Sequence, residues 1–321
     1  MRVGQNPAKF IESVDQPEPV TVAVLVYIPF LEGYYSQSLE VLKTCLDSLW
    51  QNTLQPYDLL VFDNASCPEV RQYLQDSHQA GKIQYLLLSS RNIGKSGAWN
   101  LIFSAAPGEY LAYADSDIYF YPGWLPAHLK VLEAFPNAGM VTGLPMWSSA
   151  EYSTSTIEWA KNQAEARLER GQFLPWEDYW RHASSLGMTL AEAQAQFAAK
   201  EDLCLFYNNQ KYYVGAGHFQ FVGRRQILQS VLPFPARRPM GDVRLLDVAL
   251  NERGYLRLST AEWWVQHLGN TLQGFDGQTP PIVGQKNQGA AATRGQVWDW
   301  KPVRKFLLWV YNRTFEILFR N

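Results

Sequence analysis

Tyr110-Leu111-Ala112-Tyr113-Ala114-Asp115-Ser116-Asp117 is a run of apolar and aromatic residues that ends on two carboxylates one residue apart. A short apolar run bounded by polar residues reads as a buried strand over 110–114, with the acids in the loop at its carboxyl end. Hard divalent cations prefer oxygen ligands, and Mg2+ or Mn2+ often bridges one or two carboxylates to a diphosphate. An Asp-x-Asp pair alone is common by chance. Its place behind a buried strand is what gives it meaning.

The chain upstream sets this strand in a repeating frame. Residues 22–28 read as a buried strand closed by Pro29, and 39–50 as a helix with Leu39, Leu42, Leu46 and Leu49 on one face. A second strand over 57–62 ends at Asp63; a helix over 70–79, a third strand over 83–88 and a helix over 96–105 follow. Strands alternating with helices at these distances predict βαβ units and a mostly parallel sheet. In such sheets ligands bind just beyond the carboxyl ends of the strands. Pro29, Asp63, Asn92 and Asp115 all lie at or just beyond those ends, so they are expected to share one site.

Composition narrows the class. Of 321 residues, 47% are hydrophobic and 18% charged, which suits a packed core and argues against disorder along most of the chain. The formal net charge of -2 suggests no broad nucleic-acid surface. Cys45, Cys67 and Cys204 are far apart and lack the close pairs of a zinc site, so they read as reduced thiols of a cytoplasmic protein. Residues 1–20 are polar and Pro-containing, unlike a signal peptide, and no apolar run reaches the roughly 18–20 residues needed to span a bilayer.

Beyond residue 145 the pattern changes. Residues 151–202 are rich in Ala, Glu, Gln and Trp and read as two or three helices, one of them opened by the capping-box spacing Thr189-Leu190-Ala191-Glu192. Strand-like patterning returns at 212–222, then a helix within 242–253 stopped by Gly254, and a strand over 255–259. The resulting division is a 1–20 extension, a 21–145 half, a 146–211 helical insert, a 212–270 half, a mobile loop over 271–298 and a C-terminal amphipathic helix over 299–321. In that last helix Val303, Phe306, Leu307, Val310, Thr314, Ile317 and Leu318 share a face. Two readings stay open for it: docking on its own domain or on another subunit as an oligomer contact, or peripheral contact with the cytoplasmic face of a membrane.

The ordered set of motifs resembles the family 2 inverting glycosyltransferases, which have the GT-A fold, over roughly residues 21–270. The matching pieces are Ile28-Pro29, Asp63-Asn64-Ala65-Ser66, the segment from Arg91-Asn92-Ile93-Gly94-Lys95 to Asn100, Asp115-Ser116-Asp117, Gly241-Asp242-Val243-Arg244, Asn251-Glu252-Arg253-Gly254-Tyr255, and Val265-Gln266-His267-Leu268-Gly269. The resemblance implies an α/β GT-A domain that takes a sugar from a nucleotide diphosphate (UDP, GDP or dTDP type) and places it on a hydroxyl of a polysaccharide, glycolipid or protein glycan, aided by Mn2+ or Mg2+. It implies that Pro29, Asp63, Asn92, Gly94, Lys95, Asp115, Ser116 and Asp117 line the nucleotide-sugar site, with Asp117 and His267 on the metal.

It also implies that Asp242 is the catalytic base. Relatives often carry two acids where this chain has Gly241-Asp242, and Asp247 is the rival for the role; His218 is a further candidate in the acceptor region. Each residue also has a plainer reading: Asp63 as a turn former, Gly94 as the turn before a helix, His267 as a buried hydrogen-bonded histidine, Asp247 as a helix-surface or packing residue. The alternative function is a non-catalytic relative that binds nucleotide sugar or glycan within an envelope-polysaccharide assembly.

Overall fold

Val20–Val26 forms β1, and every one of its residues is buried. Both faces are covered: Val22, Val24 and Val26 enter one core, and Ala23 and Leu25 the other. Such burial on two sides is why a parallel strand reads as a continuous apolar run rather than an alternating one. The computed structural model describes residues 3–277 except Trp147 and Gly241. The helix expected over 299–321 and residues 278–298 of the expected loop lie outside the described residues.

The frame read from sequence is present. After β1 come α1 (Ser38–Asn52), β2 (Asp58–Asn64), α2 (Pro68–Gln79), β3 (Tyr85–Ser89), α3 (Gly94–Ala105) and β4 (Tyr110–Asp115). These four strands pair in parallel in the order β3-β2-β1-β4. On one side α1 packs through Leu42, Leu46 and Leu49; on the other α3 packs through Trp99, Ile102 and Phe103.

The second half completes the sheet. It contains β5 (Ile118–Phe120), α4 (Trp124–Ala134), β6 (Ala138–Thr142), α5 (Thr154–Lys161), β7 (Arg167–Gly171), α6 (Trp176–Ser185) and α7 (Leu190–Ala199). Then follow β8 (Asp202–Tyr207), β9 (Gln210–Val214), β10 (Gln220–Arg224), α8 (Arg225–Ser230), α9 (Arg244–Glu252), β11 (Leu256–Ser259) and β12 (Val265–His267). The ten-stranded order is β3-β2-β1-β4-β10-β6-β11-β9-β8-β7, with β10 antiparallel between β4 and β6. A separate antiparallel pair, β12 on β5, sets His267 opposite Ile118.

Two segments differ from the sequence expectation. The insert, expected as two or three helices, holds three, and the capping box at Thr189 is formed, but within 146–211 it also contains β8, the start of β9 and, at the sheet edge, β7. Its Arg-Leu-Glu-Arg-Gly sequence carries no apolar alternation, because this strand is only partly buried and is held by backbone pairing to β8. The strand-like run over 212–222 spans parts of two strands, β9 and β10, interrupted where the chain crosses from one sheet position to another. Among the described residues no helix is long and apolar enough to cross a membrane.

A buried polar clamp sits between α4 and the sheet. His128 is fully buried, with Nδ1 2.7 Å from the Trp124 carbonyl and Nε2 3.1 Å from the Gln220 amide nitrogen. The Gln220 carbonyl accepts the Gly143 N–H, so its amide donates to Nε2 and the ring is neutral. Burial pushes the His128 pKa down to about 4. An unfolded histidine titrates near 6.5, so below that pH the unfolded chain binds the extra proton. This stabilisation is therefore present above about pH 6.5 and lost as pH falls towards 4, by about 3 kcal/mol. Urea denaturation from pH 7 to pH 4 should show that loss in the wild type relative to His128→Gln; parallel curves for the two would contradict the buried neutral ring.

Candidate active site

The carboxyl ends of β1 and β2 are tied together by hydrogen bonds. Backbone Cys67 N–H donates to Ile28 C=O and the Ser66 hydroxyl accepts the Ile28 N–H, which holds the β1 end against the turn after β2. Ala65 in that turn has φ of 73°, a left-handed conformation for a residue with a Cβ. Pro29 follows, half-buried.

Asp63 was expected to face a nucleotide. Its carboxylate instead points inward, fully buried, accepting from Ser66 N–H and from Arg71 Nε, both at 2.9 Å. Its turn-forming reading is thus realised, and Arg71 of α2 is a partner that sequence reading missed. Asn92 also works internally: its Oδ1 accepts from Gly94 N–H at 2.8 Å and from the Asn64 amide at 2.9 Å. Asn64 in turn accepts the Ile93 N–H.

α3 starts under close cover. Gly94 has φ of 74°, and a Cβ there would lie 2.8 Å from the Arg238 carbonyl oxygen, so glycine serves both the turn and the approach. Lys95 N–H donates to the Pro239 carbonyl at 2.9 Å. The Lys95 ammonium reaches Asp115 Oδ2 at 2.6 Å and lies 5.6 Å from the ring centres of Trp99 and Tyr113. Expected to line the nucleotide-sugar site, it sits on the first acid of the Asp-x-Asp pair.

The two acids differ sharply in surroundings. Asp115 Oδ1 accepts from the Tyr113 hydroxyl at 2.6 Å while Oδ2 takes Lys95, so both its oxygens are engaged. Burial raises its pKa, against the pull of Lys95. Asp117 Oδ2 lies 3.2 Å from His267 Nε2, but its Oδ1 is buried without a hydrogen-bond partner. Burial also works to raise the Asp117 pKa, but the charge and hydrogen bond of His267, with help from Lys95, outweigh it and bring it below the usual range. Ser116 between them is partly exposed.

His267 arrives through the β12–β5 pairing, locked further by Leu268 N–H to Asp117 C=O at 2.8 Å. Although burial alone would lower its pKa, Asp117 raises it. From the insert, α6 closes the same corner: Ser185 Oγ is 2.9 Å from His267 Nδ1, and the His182 ring centre is 6.0 Å from that of His267. Burial pushes His182 down to about 3, and its Nδ1 has no partner. Neither residue was singled out from sequence, since a Ser and a His on an amphipathic helix carry no local signal.

Asp242, the expected base, precedes α9 rather than opening it. It has φ of 67° and a buried Oδ2 without a partner. Non-glycine residues held in this region carry strain, which concentrates at functional sites. Three residues earlier, Pro239 is the residue that caps Lys95, so the chain links Asp242 to the same neighbourhood.

Asp247 is buried in α9, with Oδ1 2.7 Å from Arg257 Nη2 and 2.8 Å from His218 Nε2. Arg257 also donates to the carbonyls of Tyr152 and Ala216, which makes Asp247 a packing residue within a charge cluster. Two contact pairs, Lys95 with Asp115 and Asp117 with His267, thus stand on either side of Ser116, with Ser185 joined to His267. Among the described residues no group of three or more His, Cys, Asp or Glu is gathered tightly enough to hold a metal ion alone.

The structure resembles PcManGT, a mannosyltransferase from Pyrobaculum calidifontis in complex with GDP-Man and Mn2+, at 16% identity and a TM-score of 0.44, over 78% of this chain and 55% of that one. It also resembles S. aureus TarS 1-349 in complex with UDP, at 13% identity and a TM-score of 0.45, over 77% of this chain and 59% of that one. The chain therefore spans little more than half of each of these proteins. No curated protein matches the sequence. The model of a sequence family described as glycosyl transferase family 2 matches residues 26–188, just over half of the chain. With that match on a GT-A-like sheet that delivers its acids at the end of β4, the chain belongs to glycosyl transferase family 2.

Proposed function

We propose that this protein is an inverting, divalent-metal-dependent glycosyltransferase that moves a sugar from a nucleotide diphosphate to a hydroxyl acceptor. The observation that carries the reading is the buried, unpartnered Oδ1 of Asp117 beside His267. An orphaned carboxylate oxygen in such a place is costly unless something fills its lone pairs. A hard cation meets that need, and Asp117 with His267 would hold it, leaving its other positions to ligand oxygens or water. When bound, the cation (Mn2+ or Mg2+) supplies charge stabilisation to the departing diphosphate. The GDP-Man, UDP and Mn2+ in the two similar structures are of the same chemical kind.

The protein's own groups have separable tasks in this reading. Lys95 holds Asp115 as an internal pair, so that Asp115 fixes the loop in which Ser116 meets the donor while Asp117 keeps a free oxygen. The Asn64–Asn92 amide pair and Asp63 fix the turns that would receive the base and ribose, with Pro29 at the rim and Gly94 shaping the start of α3. Asp242 takes the acceptor proton as its oxygen attacks the anomeric carbon from the face opposite the leaving group. Its unpartnered Oδ2 supports that role, whereas Asp247 is held by Arg257. General-base assistance of this kind is worth roughly 10²–10⁴-fold.

Three measurements test these assignments. Melting curves with UDP, GDP or dTDP should shift upward for one nucleotide only when Mn2+ is present, by about 2.7 kcal/mol of stability at 100 times Kd. No shift with any nucleotide, on folded protein, would favour a glycan-binding role instead. Asp117→Asn should remove the Mn2+ dependence of that shift, and retention of it would remove Asp117 from the metal. Asp242→Asn should leave the shift intact and lower the transfer rate roughly 10²–10⁴-fold; wild-type turnover would exclude it as the base.

A further inference from the structure

We propose that Ser185, the last residue of α6, is a positioning residue for His267: its hydroxyl accepts the imidazole Nδ1–H and keeps Nε2 turned towards Asp117 as the atom that meets a divalent cation. The inference rests on the metal reading above and adds to it a residue supplied by the insert.

The direction of the hydrogen bond follows from counting protons. Ser185 Oγ has two close partners, the His182 carbonyl oxygen at 2.7 Å and His267 Nδ1 at 2.9 Å. A hydroxyl has one proton to give, and a carbonyl can only accept. If the proton went to the ring, two acceptor oxygens would face each other at 2.7 Å with nothing between them. The proton therefore goes to His182, Oγ accepts, and Nδ1 carries the hydrogen it donates. Nε2 faces Asp117 at 3.2 Å as the donor of a hydrogen bond; with Nδ1–H kept on Ser185, Nε2 is the nitrogen whose proton a cation would displace to reach a lone pair. Ligating histidines generally depend on such a partner on the other ring nitrogen.

The backbone holds this contact at close range. Gly269, two residues past His267, has φ of 74°, and a Cβ there would lie 2.7 Å from the Ser185 carbonyl oxygen. The end of α6 thus lies directly on the segment that carries the ligand. One further side supports the arrangement: Phe219 from the loop before β10 has its ring centre 5.8 Å from that of His267 and 5.1 Å from that of His182. The imidazole is therefore fenced by rings, and its in-plane orientation is left to the two hydrogen bonds.

The test titrates full-length protein with Mn2+, alone and with UDP or GDP, and reads free Mn2+ by electron paramagnetic resonance. Ser185→Ala should weaken Mn2+ binding about 10- to 100-fold, with the metal-free melting temperature close to wild type, and Ser185→Thr should restore it. Equal affinity of wild type and Ser185→Ala would overturn this inference and leave the metal reading standing. No Mn2+ uptake by the wild type under any of these conditions would overturn both. Nitrogen-15 labelling of the five histidines reads the wild type directly, independent of how the variants fold: His267 should show a protonated Nδ1, and an unprotonated Nδ1 would overturn the assignment.

Discussion

The ion pair between Lys95 and Asp115 is the contact on which the arrangement of the site turns. Two carboxylates one residue apart at a buried strand end repel each other, and burial penalises both charges. Lys95 and the Tyr113 hydroxyl take up both oxygens of the first acid. The second is left with an open oxygen and a histidine neighbour. One sequence motif thereby yields two chemically different acids: one bound into the protein, the other available. Because Lys95 stands in the first turn of α3 and its own N–H is capped by Pro239, the same residue also joins the first half of the fold to the segment leading to Asp242.

The rest of the site comes from far along the chain. His267 stands 150 residues after Asp117 and reaches it only because β12 pairs with β5. Arg257 of β11 and Asp247 also join distant segments, pinning α9 to the Ala216 carbonyl and to Tyr152 near the start of the insert. A buried pair of this sort is weak evidence for net stability, since the desolvation of two charges offsets most of their attraction. Its visible effect is geometric: α9 and the loop carrying His218 share one anchor.

The first half of the fold was legible because β1 and β2 are buried on both faces. Residues 22–28 and 57–62 display that burial as unbroken apolar runs, and the helices between them show one clear face. β7 was not legible, since Arg167 to Gly171 is held by backbone pairing and leaves no apolar trace. Among site residues, Asp115, Asp117 and His267 could be read from motif order and do come together. The orientation of Asp63 could not, because Arg71 lies eight residues on and nothing in the spacing says that its guanidinium turns back. Asp247 was legible as an acid but not as a buried one, since its partners Arg257 and His218 come from other elements. Ser185 and His182 were invisible for the same reason.

β7 also bears on how the molecule behaves among its own copies. By carrying β7 and β8 and leading into β9, the insert lengthens the sheet, and among the described residues β7 has a neighbour on one side only. An outermost strand offers its free backbone groups to any other chain, and a flat apolar one invites fibrous association. Arg167, Glu169 and Arg170 place charge along that border within five residues. Whatever pairs there must bury those charges, so the same sequence that concealed the strand from a hydrophobic reading also guards the sheet against being extended by a stranger.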